Sequence, residues 1–293
     1  YPGALPRVRP APIPKDLERR DYTVNAMALS LATLELLDPH GGLSDLRARL
    51  LRPLHPLSFV EDPSRIVRGA RLAARLAFRF AEEALKALPP ALLPEVLRTA
   101  SKSRLRDELL LTLEEDTFFE ALALLEALGA LGPLYGLCLP PREPFTRLRP
   151  PQEGPAKALL EARLLLLLYF QEAPLERAQT LAAPRRLEEA LGLLLRVGQG
   201  AALEDPEREA LQKEPLRSAL LALFPEKEAW LMEKRRVLRG RDLLAMGLGP
   251  GPKVGEILRQ VAEARGRGEV KTFEEELALA RRLVGDGTLS SSQ

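Results

Sequence analysis

The stretch FVEDPSRIVRGARLAARLAF, residues 59–78, predicts one amphipathic helix with an unusual charged face. Pro63 suits the first helical position, and Asp62 suits the N-cap because its carboxylate can accept a free backbone N–H. At about 100° per residue, four arginines fall within an arc of about 120°. They are Arg65, Arg68, Arg71 and Arg75, while Ile66, Ala70, Ala73 and Ala77 face the other way, toward a predicted core.

Two interpretations of this arginine stripe are open. A solvated helix surface with a capping aspartate is the simpler one, yet no acidic residue follows the arginines at i+4 to neutralise them. A carboxylate beside a guanidinium also matches the pairing edge of a nucleobase, accepting from an exocyclic amino group and donating to a ring nitrogen or carbonyl. On this interpretation Asp62 and Arg65 select adenine or cytosine over guanine or uracil. Arg68 and Arg71, farther along the same face, hold the sugar or the phosphates.

The composition predicts a soluble, mainly helical chain of more than one domain. The 293 residues are 46% hydrophobic and 29% charged but only 5% aromatic, so leucine and alanine must build the core, which favours helices. The longest leucine-rich run, Leu164–Phe170, is far shorter than the roughly 20 residues that span a membrane, and no membrane partner is predicted. The single cysteine excludes an internal disulfide framework, and with no secretory signal in the sequence it favours a cytoplasmic location.

Charge and residue usage are both uneven along the chain. Residues 1–80 carry 13 Lys and Arg against 8 Asp and Glu, whereas the remainder carries 30 against 33. The positive surplus therefore coincides with the arginine stripe and favours a phosphate-bearing partner there. Asn25 is the only asparagine, a bias typical of heat-stable proteins and equally of GC-rich genomes.

The rest of the chain divides at a proline-rich segment. Residues 15–30 are predicted to be helical, and LSLATLELLDP, residues 29–39, to form a hairpin of two short strands that needs partner strands. From Asp62 onward apolar residues recur with helical spacing in residues 118–131, 156–170, 187–197, 216–224 and 273–284. The segment LPPREPFTRLRPPQEGP, residues 139–155, is predicted to be a linker and domain boundary.

Five motifs, in order, resemble those of the bacterial-type (class II) tRNA nucleotidyltransferase and poly(A) polymerase family. EDPSRIVRGARLAARLAF is similar to its nucleotide-selecting motif, and DLERRDYTVNAMA to its RRD-F-T-x-N-A segment, with Tyr22 where phenylalanine is common. LLDPHGGLSDLRARLLR resembles D-x-x-G-G-x-x-D-L, and SKSRLRDELLLTL the last head-and-neck motif, which places Arg104 and Glu108 at i and i+4 as a predicted helical ion pair. The C-terminal residues 240–284 resemble the family's final helical segment.

The resemblance implies a mainly α protein: a small α/β nucleotidyltransferase head that does the chemistry, followed by helical neck, body and tail that hold RNA. The implied division is a partial head over residues 1–80, a neck over 81–138, the linker over 139–155, and a body and tail over 156–293. The implied activity is template-independent addition of CMP or AMP, from CTP or ATP, to the 3′ end of tRNA or another RNA. Asp62 and Arg65 would read the base. Arg20, Arg68 and Arg71 would bind the rest of the nucleotide, and Asn25, in the same motif as Arg20 on the predicted helix, is included with them.

The chain departs from the family at the metal site. The family's metal-binding carboxylates lie in a G-G-x-V-R-D and D-x-D segment, and neither pattern occurs in the 293 residues. We expect the Mg²⁺ ligands upstream of Tyr1 and expect this chain alone to be inactive, because the family's phosphoryl transfer uses two Mg²⁺ ions. A non-catalytic RNA-binding protein that retains the fold is the alternative, and a plain helical scaffold is a third.

One further candidate site lies near the C-terminus. MGLGPGPKVGEIL, residues 246–258, places glycines and prolines immediately before a predicted helix. Free N–H groups at such a helix end suit a phosphate, so Gly247, Gly249, Gly251 and Lys253 are predicted to contact RNA. An ordinary tight turn between helices explains the same pattern.

Overall fold

The computed structural model describes residues 10–148, 157–201, 203, 205–232, 238–267, 269–270 and 273–286. Helices dominate these residues, which confirms the predicted mainly α fold with a small α/β portion. In chain order they are α1 Ile13–Leu17, α2 Gly42–Ala48, α3 Ser58–Glu61, α4 Ser64–Leu76, α5 Glu82–Ala91, α6 Pro94–Thr99, α7 Lys102–Glu114, α8 Phe118–Ala127, α9 Leu131–Tyr135, α10 Glu143–Arg147, α11 Ala158–Tyr169, α12 Pro174–Thr180, α13 Arg185–Gly198, α14 Asp205–Leu211, α15 Leu216–Leu223, α16 Glu228–Met232, α17 Gly240–Ala245, α18 Pro252–Gly266 and α19 Phe273–Asp286.

Two small strand pairs make up the described β-structure. β1 (Ala28–Leu29) pairs antiparallel with β2 (Leu36–Leu37), which is the hairpin that the sequence predicts. β3 (Leu50–Leu51) pairs in parallel with β4 (Arg79–Phe80), so the chain crosses over through α3 and α4 between them. The arginine-bearing helix α4 is therefore part of the α/β portion.

The chain forms two compact units, which we describe separately. The first comprises residues 1–199 and 214–223, and the second comprises residues 200–213 and 224–293. The predicted division into head, neck, linker and body is not tested by this partition and stays a prediction.

Part of the predicted proline-rich linker is folded. Within it, α10 buries Phe145, whose ring lies 5.5 Å from that of Phe118 and 5.7 Å from that of Phe119. Residues 149–155 of the same segment lie outside the described residues. Proline at the second position of α10 does not interrupt it, because the first N–H groups of a helix have no intrahelical partner.

Helix α4 packs its apolar face inward as predicted, with one exception. Ile66 and Ala70 are fully buried and Ala73 is 3% exposed. Ala77 was placed on this face and is instead exposed, because the helix ends at Leu76 and Ala77 turns away with a φ of +54°.

The buried face of α4 lies unusually close to Tyr22. A Cβ on Gly69 would lie 2.0 Å from the Tyr22 hydroxyl oxygen and 2.8 Å from Cζ of Phe80, so only glycine permits this approach. Tyr22 is fully buried, and its hydroxyl donates to the Arg65 carbonyl at 2.7 Å. The motif containing Tyr22 is thereby fixed against the helix that carries the arginines.

The glycine pair at the start of α2, Gly41 and Gly42, lies next to the same region. Asp38 accepts hydrogen bonds from the N–H groups of Gly42 (2.6 Å) and Leu43 (3.0 Å), and so caps the N-terminus of α2. A Cβ on Gly42 would lie 2.2 Å from the Thr23 carbonyl oxygen. This motif therefore holds α2 against the turn that follows Tyr22.

The predicted helix over residues 15–30 is wrong beyond Leu17, and near its predicted end Ala28–Leu29 form strand β1. α1 ends at Leu17, Arg20 lies in a bend, and Asn25 ends a short 3₁₀ turn. The Asp21 carboxylate accepts from the Tyr22 N–H at 2.8 Å and from Asn25 Nδ2 at 3.0 Å, and such local side-chain bonds compete with a helix.

The second unit has a small core of its own. Leu243, Val261 and Ala280 are fully buried where α17, α18 and α19 meet. Glu276 is also fully buried, and it accepts from the Leu238 N–H at 2.9 Å and from Arg265 Nε at 2.6 Å. Its charge is thus compensated inside this core.

The described helices also bear on the membrane question. Within the residues that the structure describes, no helix combines the length and the apolar character needed to cross a bilayer.

Candidate functional site

A cleft of about 550 Å³ lies along the polar face of α4 in the first unit. Its lining consists of six arginines, two aspartates, an asparagine and a leucine: Arg19, Arg20, Asp21, Asn25, Asp62, Arg65, Arg68, Arg71, Leu72 and Arg75. All six residues that the sequence predicts to bind a nucleotide are among them. The lining side chains carry six positive and two negative formal charges, so the cleft suits an anionic ligand.

Asp62 lies at the start of α4 and caps it. Its backbone is extended, Pro63 already has helical angles, and Asp62 Oδ1 accepts from the N–H of Ser64 at 3.1 Å and from its hydroxyl at 2.6 Å. Asp62 Oδ2 accepts from Arg104 Nη1 at 3.3 Å. The carboxylate is thus held by one oxygen, and its other oxygen faces a partly exposed arginine.

Arg65 is anchored from the other side. Its Nη1 donates to the hydroxyl of Ser58 at 2.7 Å, and Ser58 is fully buried at the start of α3. The bond to Tyr22 described above holds the backbone of Arg65 as well. Because both side chain and backbone are fixed, Arg65 presents its remaining N–H groups in a defined direction.

The C-terminal part of the arginine stripe, Arg68 to Arg75, is neutralised by two glutamates. One is in α7, and the other immediately follows the last residue of α7. Glu108 accepts from Arg68 Nη2 at 2.5 Å with one oxygen and from Arg71 Nη2 at 3.0 Å with the other. Glu115 accepts from Arg71 Nη1 at 3.4 Å and from Arg75 Nη1 at 3.0 Å. The glutamate side chain of Glu108 is only 6% exposed, so this pairing fixes the arginines instead of leaving them solvated.

These contacts correct the predicted ion pair between Arg104 and Glu108. Glu108 instead pairs with Arg68 and Arg71, and Arg104 pairs with Asp62. The helical spacing was right, but α4 lies against α7 and offers Glu108 two partners on a more buried side.

The segment around Asp21 completes the cleft. Asp21 is buried, and it accepts from Asn25 Nδ2 at 3.0 Å and from Arg68 Nη1 at 3.1 Å. Arg20 pairs with Asp16 at 2.8 Å, and both side chains are about half exposed. Asn25 therefore orients Asp21 within the cleft, while Arg20 lies at the solvent-exposed edge of the cleft.

The electrostatics of the cleft keep Arg68 charged. Burial alone lowers the pKa of the Arg68 guanidinium, but its bonds and ion pairs with Glu108 and Asp21 outweigh burial and raise that pKa above the usual arginine value. Burial, with the nearby Asp21 charge, raises the pKa of the Tyr22 hydroxyl well above its usual value. Tyr22 thus stays a neutral donor to Arg65 at physiological pH.

Within the described residues, the carboxylates of the cleft already have bonding partners in the chain. Asp21 and Asp62, the carboxylates that line the cleft, already accept bonds from arginine and backbone groups of the chain. Across the described ranges, no three His, Cys, Asp or Glu side chains are grouped so that they could hold a metal ion.

Several residues of the cleft were not identified from the sequence. Ser58 and Asp21 each bind one of the arginines directly, and Glu108 and Glu115 each bind two. Asp21, within the RRD segment, and Glu108, within the last head-and-neck motif, were present in quoted motifs. For Ser58 and Glu115, nothing in the local pattern indicates which arginine they contact.

The predicted C-terminal site lies in the second unit. Gly247 has a φ of +90° in the turn after α17, and Gly249 and Gly251 are exposed before α18. Lys253 lies in the first turn of α18 and is also exposed. The turn before a helix is thus as predicted, and the RNA contact stays a prediction.

Comparisons with known proteins agree with these motifs. The family model of the poly(A) polymerase head domain matches residues 6–52. A CC-adding tRNA nucleotidyltransferase of Deinococcus radiodurans is 37% identical over 97% of this chain and 70% of its own length. An A-adding tRNA nucleotidyltransferase of Aquifex aeolicus is 46% identical over 42% of this chain, and the match spans only 15% of that relative.

A solved structure supports the same assignment. The crystal structure of a tRNA nucleotidyltransferase complexed with a primer tRNA and an incoming ATP analog is 29% identical, with a TM-score of 0.57, over 76% of this chain and 72% of that one. Because the Deinococcus relative matches at 37% identity over most of both sequences, the chain belongs to the family of tRNA nucleotidyltransferases and poly(A) polymerases.

Proposed function

We propose that this chain selects the nucleotide and holds the RNA for template-independent addition of CMP, AMP or both to the 3′ end of a tRNA or tRNA-like RNA, from CTP or ATP. The observation that carries the proposal is the cleft itself. It brings together all six predicted residues, and it fixes the acceptor Asp62 and the donor Arg65 by separate buried serines.

Base selection follows from hydrogen-bond polarity. Asp62 Oδ2 has a second lone pair beside the one that faces Arg104, and it can accept from the amino group of adenine or cytosine. Guanine and uracil present a carbonyl at the corresponding position, which the carboxylate repels, and each unpaired polar group costs about 1–3 kcal/mol. Two such penalties give about 10²- to 10⁴-fold discrimination.

Arg68 and Arg71, in the C-terminal part of the arginine stripe, are the proposed phosphate-binding residues. Arg68 and Arg71 are held by Glu108, so their orientation is set before a ligand arrives. A guanidinium binds phosphate oxygens through two parallel N–H groups, and little ordering cost remains when its direction is already fixed. We assign the sugar and phosphates to these residues and to Arg20 at the solvent edge.

The metal ligands are proposed to lie outside these 293 residues. The sequence contains no D-x-D pattern, and the cleft carboxylates already have partners. The same observation favours a second candidate function, an RNA-binding protein that selects nucleotides without transferring them.

Calorimetric titration of the chain with CTP, ATP, UTP and GTP tests the proposal. We expect CTP or ATP to bind, and UTP and GTP to bind much more weakly. Arg65→Met should abolish the difference, whereas Arg185→Met, a change to an exposed arginine outside the cleft, should not. Equal affinity for all four nucleotides in the unaltered chain would contradict base selection.

RNA binding is tested with the whole chain and not with a fragment of the predicted body. Helix α11 of that body packs against α7 of the predicted neck within the first unit, so a fragment would lose this contact. Beyond residue 80 acidic residues outnumber basic ones, 33 against 30, so broad electrostatic attraction is weak there and we expect recognition by shape. Filter binding should favour folded tRNA over an unstructured RNA of equal length. Lys253→Glu, in the turn of the predicted C-terminal site, should weaken tRNA binding more than Lys102→Glu.

A further inference from the structure

Arg163 on α11 is a buried guanidinium that binds backbone oxygens at the end of another helix. Its side chain is only 10% exposed, and its Nη1 donates to the Leu113 carbonyl at 2.6 Å and to the Glu115 carbonyl at 3.1 Å. Both carbonyls belong to the C-terminal end of α7, where the last C=O groups have no intrahelical partner. Arg163 therefore caps α7 from a helix about 50 residues later in the chain.

The burial of this charge is costly and is only partly offset by a carboxylate. The closest one, on Asp116, lies 4.0 Å away on a fully exposed side chain. Burial lowers the pKa of the Arg163 guanidinium, the Asp116 charge opposing it only in part. The guanidinium also lies 4.4 Å from the centre of the Phe118 ring, at the start of α8. Its contacts thus converge on the corner between α7 and α8, residues 113–118.

The other side of this corner faces the cleft. Glu115, whose carbonyl accepts from Arg163, directs its carboxylate to Arg75 at 3.0 Å and to Arg71 at 3.4 Å. One residue therefore links a buried arginine of α11 to two arginines that line the cleft. An end of α7 that frays would move the carboxylate that orients both of them.

We propose that Arg163 is a positioning residue for two arginines of the cleft, the proposed phosphate ligand Arg71 and its neighbour Arg75, acting through Glu115. The inference rests on the proposed function, because it assumes that the cleft binds a nucleoside triphosphate. Arg163 is not among the residues that line the cleft. It fixes the corner that holds Arg71 and Arg75 in place. Both side chains are then ordered before the ligand binds, and the binding free energy is not reduced by the entropy cost of ordering them.

The experiment compares CTP with cytidine, which lacks phosphates, by calorimetric titration well below the melting temperature. Arg163→Met should weaken CTP binding about 3- to 10-fold, the cost of ordering one or two long side chains. Cytidine binding should change less than about 2-fold, because the base-reading residues are held by α3 and α4. Arg163→Lys, which keeps a donor and the charge, should restore part of the CTP affinity.

Arg186→Met is the matched control. Arg186 pairs with the buried Glu161, also on α11, so its loss leaves a buried group unpaired without touching the corner. This variant should melt earlier and bind CTP normally. Unchanged CTP affinity in folded Arg163→Met, or an equal loss for CTP and cytidine, would overturn the positioning role.

A double-mutant cycle with Glu115→Gln tests the route of the effect. If Arg163 acts through Glu115, Arg163→Met should change CTP affinity less than about 2-fold in the Glu115→Gln background. Independent, additive effects would refute this route. Failure of the unaltered chain to bind CTP would instead overturn the proposed function, and the inference with it.

Discussion

At the scale of single residues, Asp62 bonds to two groups through different oxygens, and base selection is proposed for only one of these oxygens. Oδ1 caps α4 through Ser64, and Oδ2 faces the cleft and Arg104. A helix cap alone requires only the first oxygen. The division allows stability and base selection to be measured separately at one position.

Asp62→Asn should change selectivity more than stability. The amide oxygen can keep the cap on Ser64, while the amide nitrogen replaces an acceptor with a donor on the cleft side. We expect the preference for CTP and ATP over UTP and GTP to be lost, with a stability loss of about 1 kcal/mol or less. Relative affinities for the four nucleotides, measured beside the melting temperature, check this.

Asp62→Ala completes the comparison, because it removes both oxygens. It should lose the cap, at about 1 kcal/mol, as well as the preference. If Asp62→Ala melts early but retains the wild-type order of nucleotides, Asp62 is only a helix cap.

At the scale of elements, the cleft depends on how closely α4 approaches its neighbours. Tyr22 lies on one side of α4 and Glu108 of α7 on the other. Both contacts join residues about 40 positions apart in the chain. The arginine stripe therefore has a fixed place only when these elements pack together.

Gly69→Ala should be strongly destabilising. The new methyl would lie 2.0 Å from the Tyr22 hydroxyl, which is fully buried and has no room to withdraw. Overpacking of this kind costs about 1–3 kcal/mol. Chemical denaturation measures the loss, and Tyr22→Phe in the same chain should recover part of it by removing the oxygen. No recovery would mean that the contact with Phe80 dominates.

Glu108→Gln should also destabilise the fold, because it leaves two arginines without their shared carboxylate. Removing one partner of a buried pair costs about 3–5 kcal/mol, and the 41% exposure of the Arg68 side chain reduces this to about 2–3 kcal/mol. Glu120→Gln breaks an exposed pair with Arg142 and should change stability by less than about 0.5 kcal/mol. Urea denaturation of both variants checks the contrast, and equal losses would contradict it.

At the scale of the whole molecule, the chain contains an arginine-lined cleft, and the described residues include no grouped set of three or more metal-ligating side chains. The two compact units separate this cleft from the glycine-rich turn of the predicted RNA site. The proposed nucleotide site and the predicted RNA contact therefore lie in different units of the chain.

The purified chain should not extend RNA by itself. The proposed transfer would use Mg²⁺ ions held by carboxylates of a D-x-D pattern, and no such pattern occurs in the sequence. Incubation with a tRNA lacking its terminal nucleotides, labelled CTP or ATP, and Mg²⁺ should leave the RNA length unchanged. Mg²⁺-dependent extension would refute this expectation.

The sequence by itself determined what depends on neighbours within about one helical turn. The cap at Asp62, the arginine stripe, the inward face of Ile66 and Ala70, and the hairpin before Asp38 all follow from such local rules. The five sequence motifs, which occur in the family's order, also identified the family, because each requires particular side chains at fixed spacing along the chain.

Only the tertiary structure decided which groups the arginines bind. Arg68 meets Glu108 across 40 residues, and Arg104 meets Asp62 across 42, so spacing along one helix predicted the wrong partner for both Arg104 and Glu108. The exposed position of Ala77 and the end of α1 before Asp21 likewise depend on where α4 ends and on which bonds Asp21 makes. Partners of a charged side chain are set by which elements pack together, and packing is decided by the whole core.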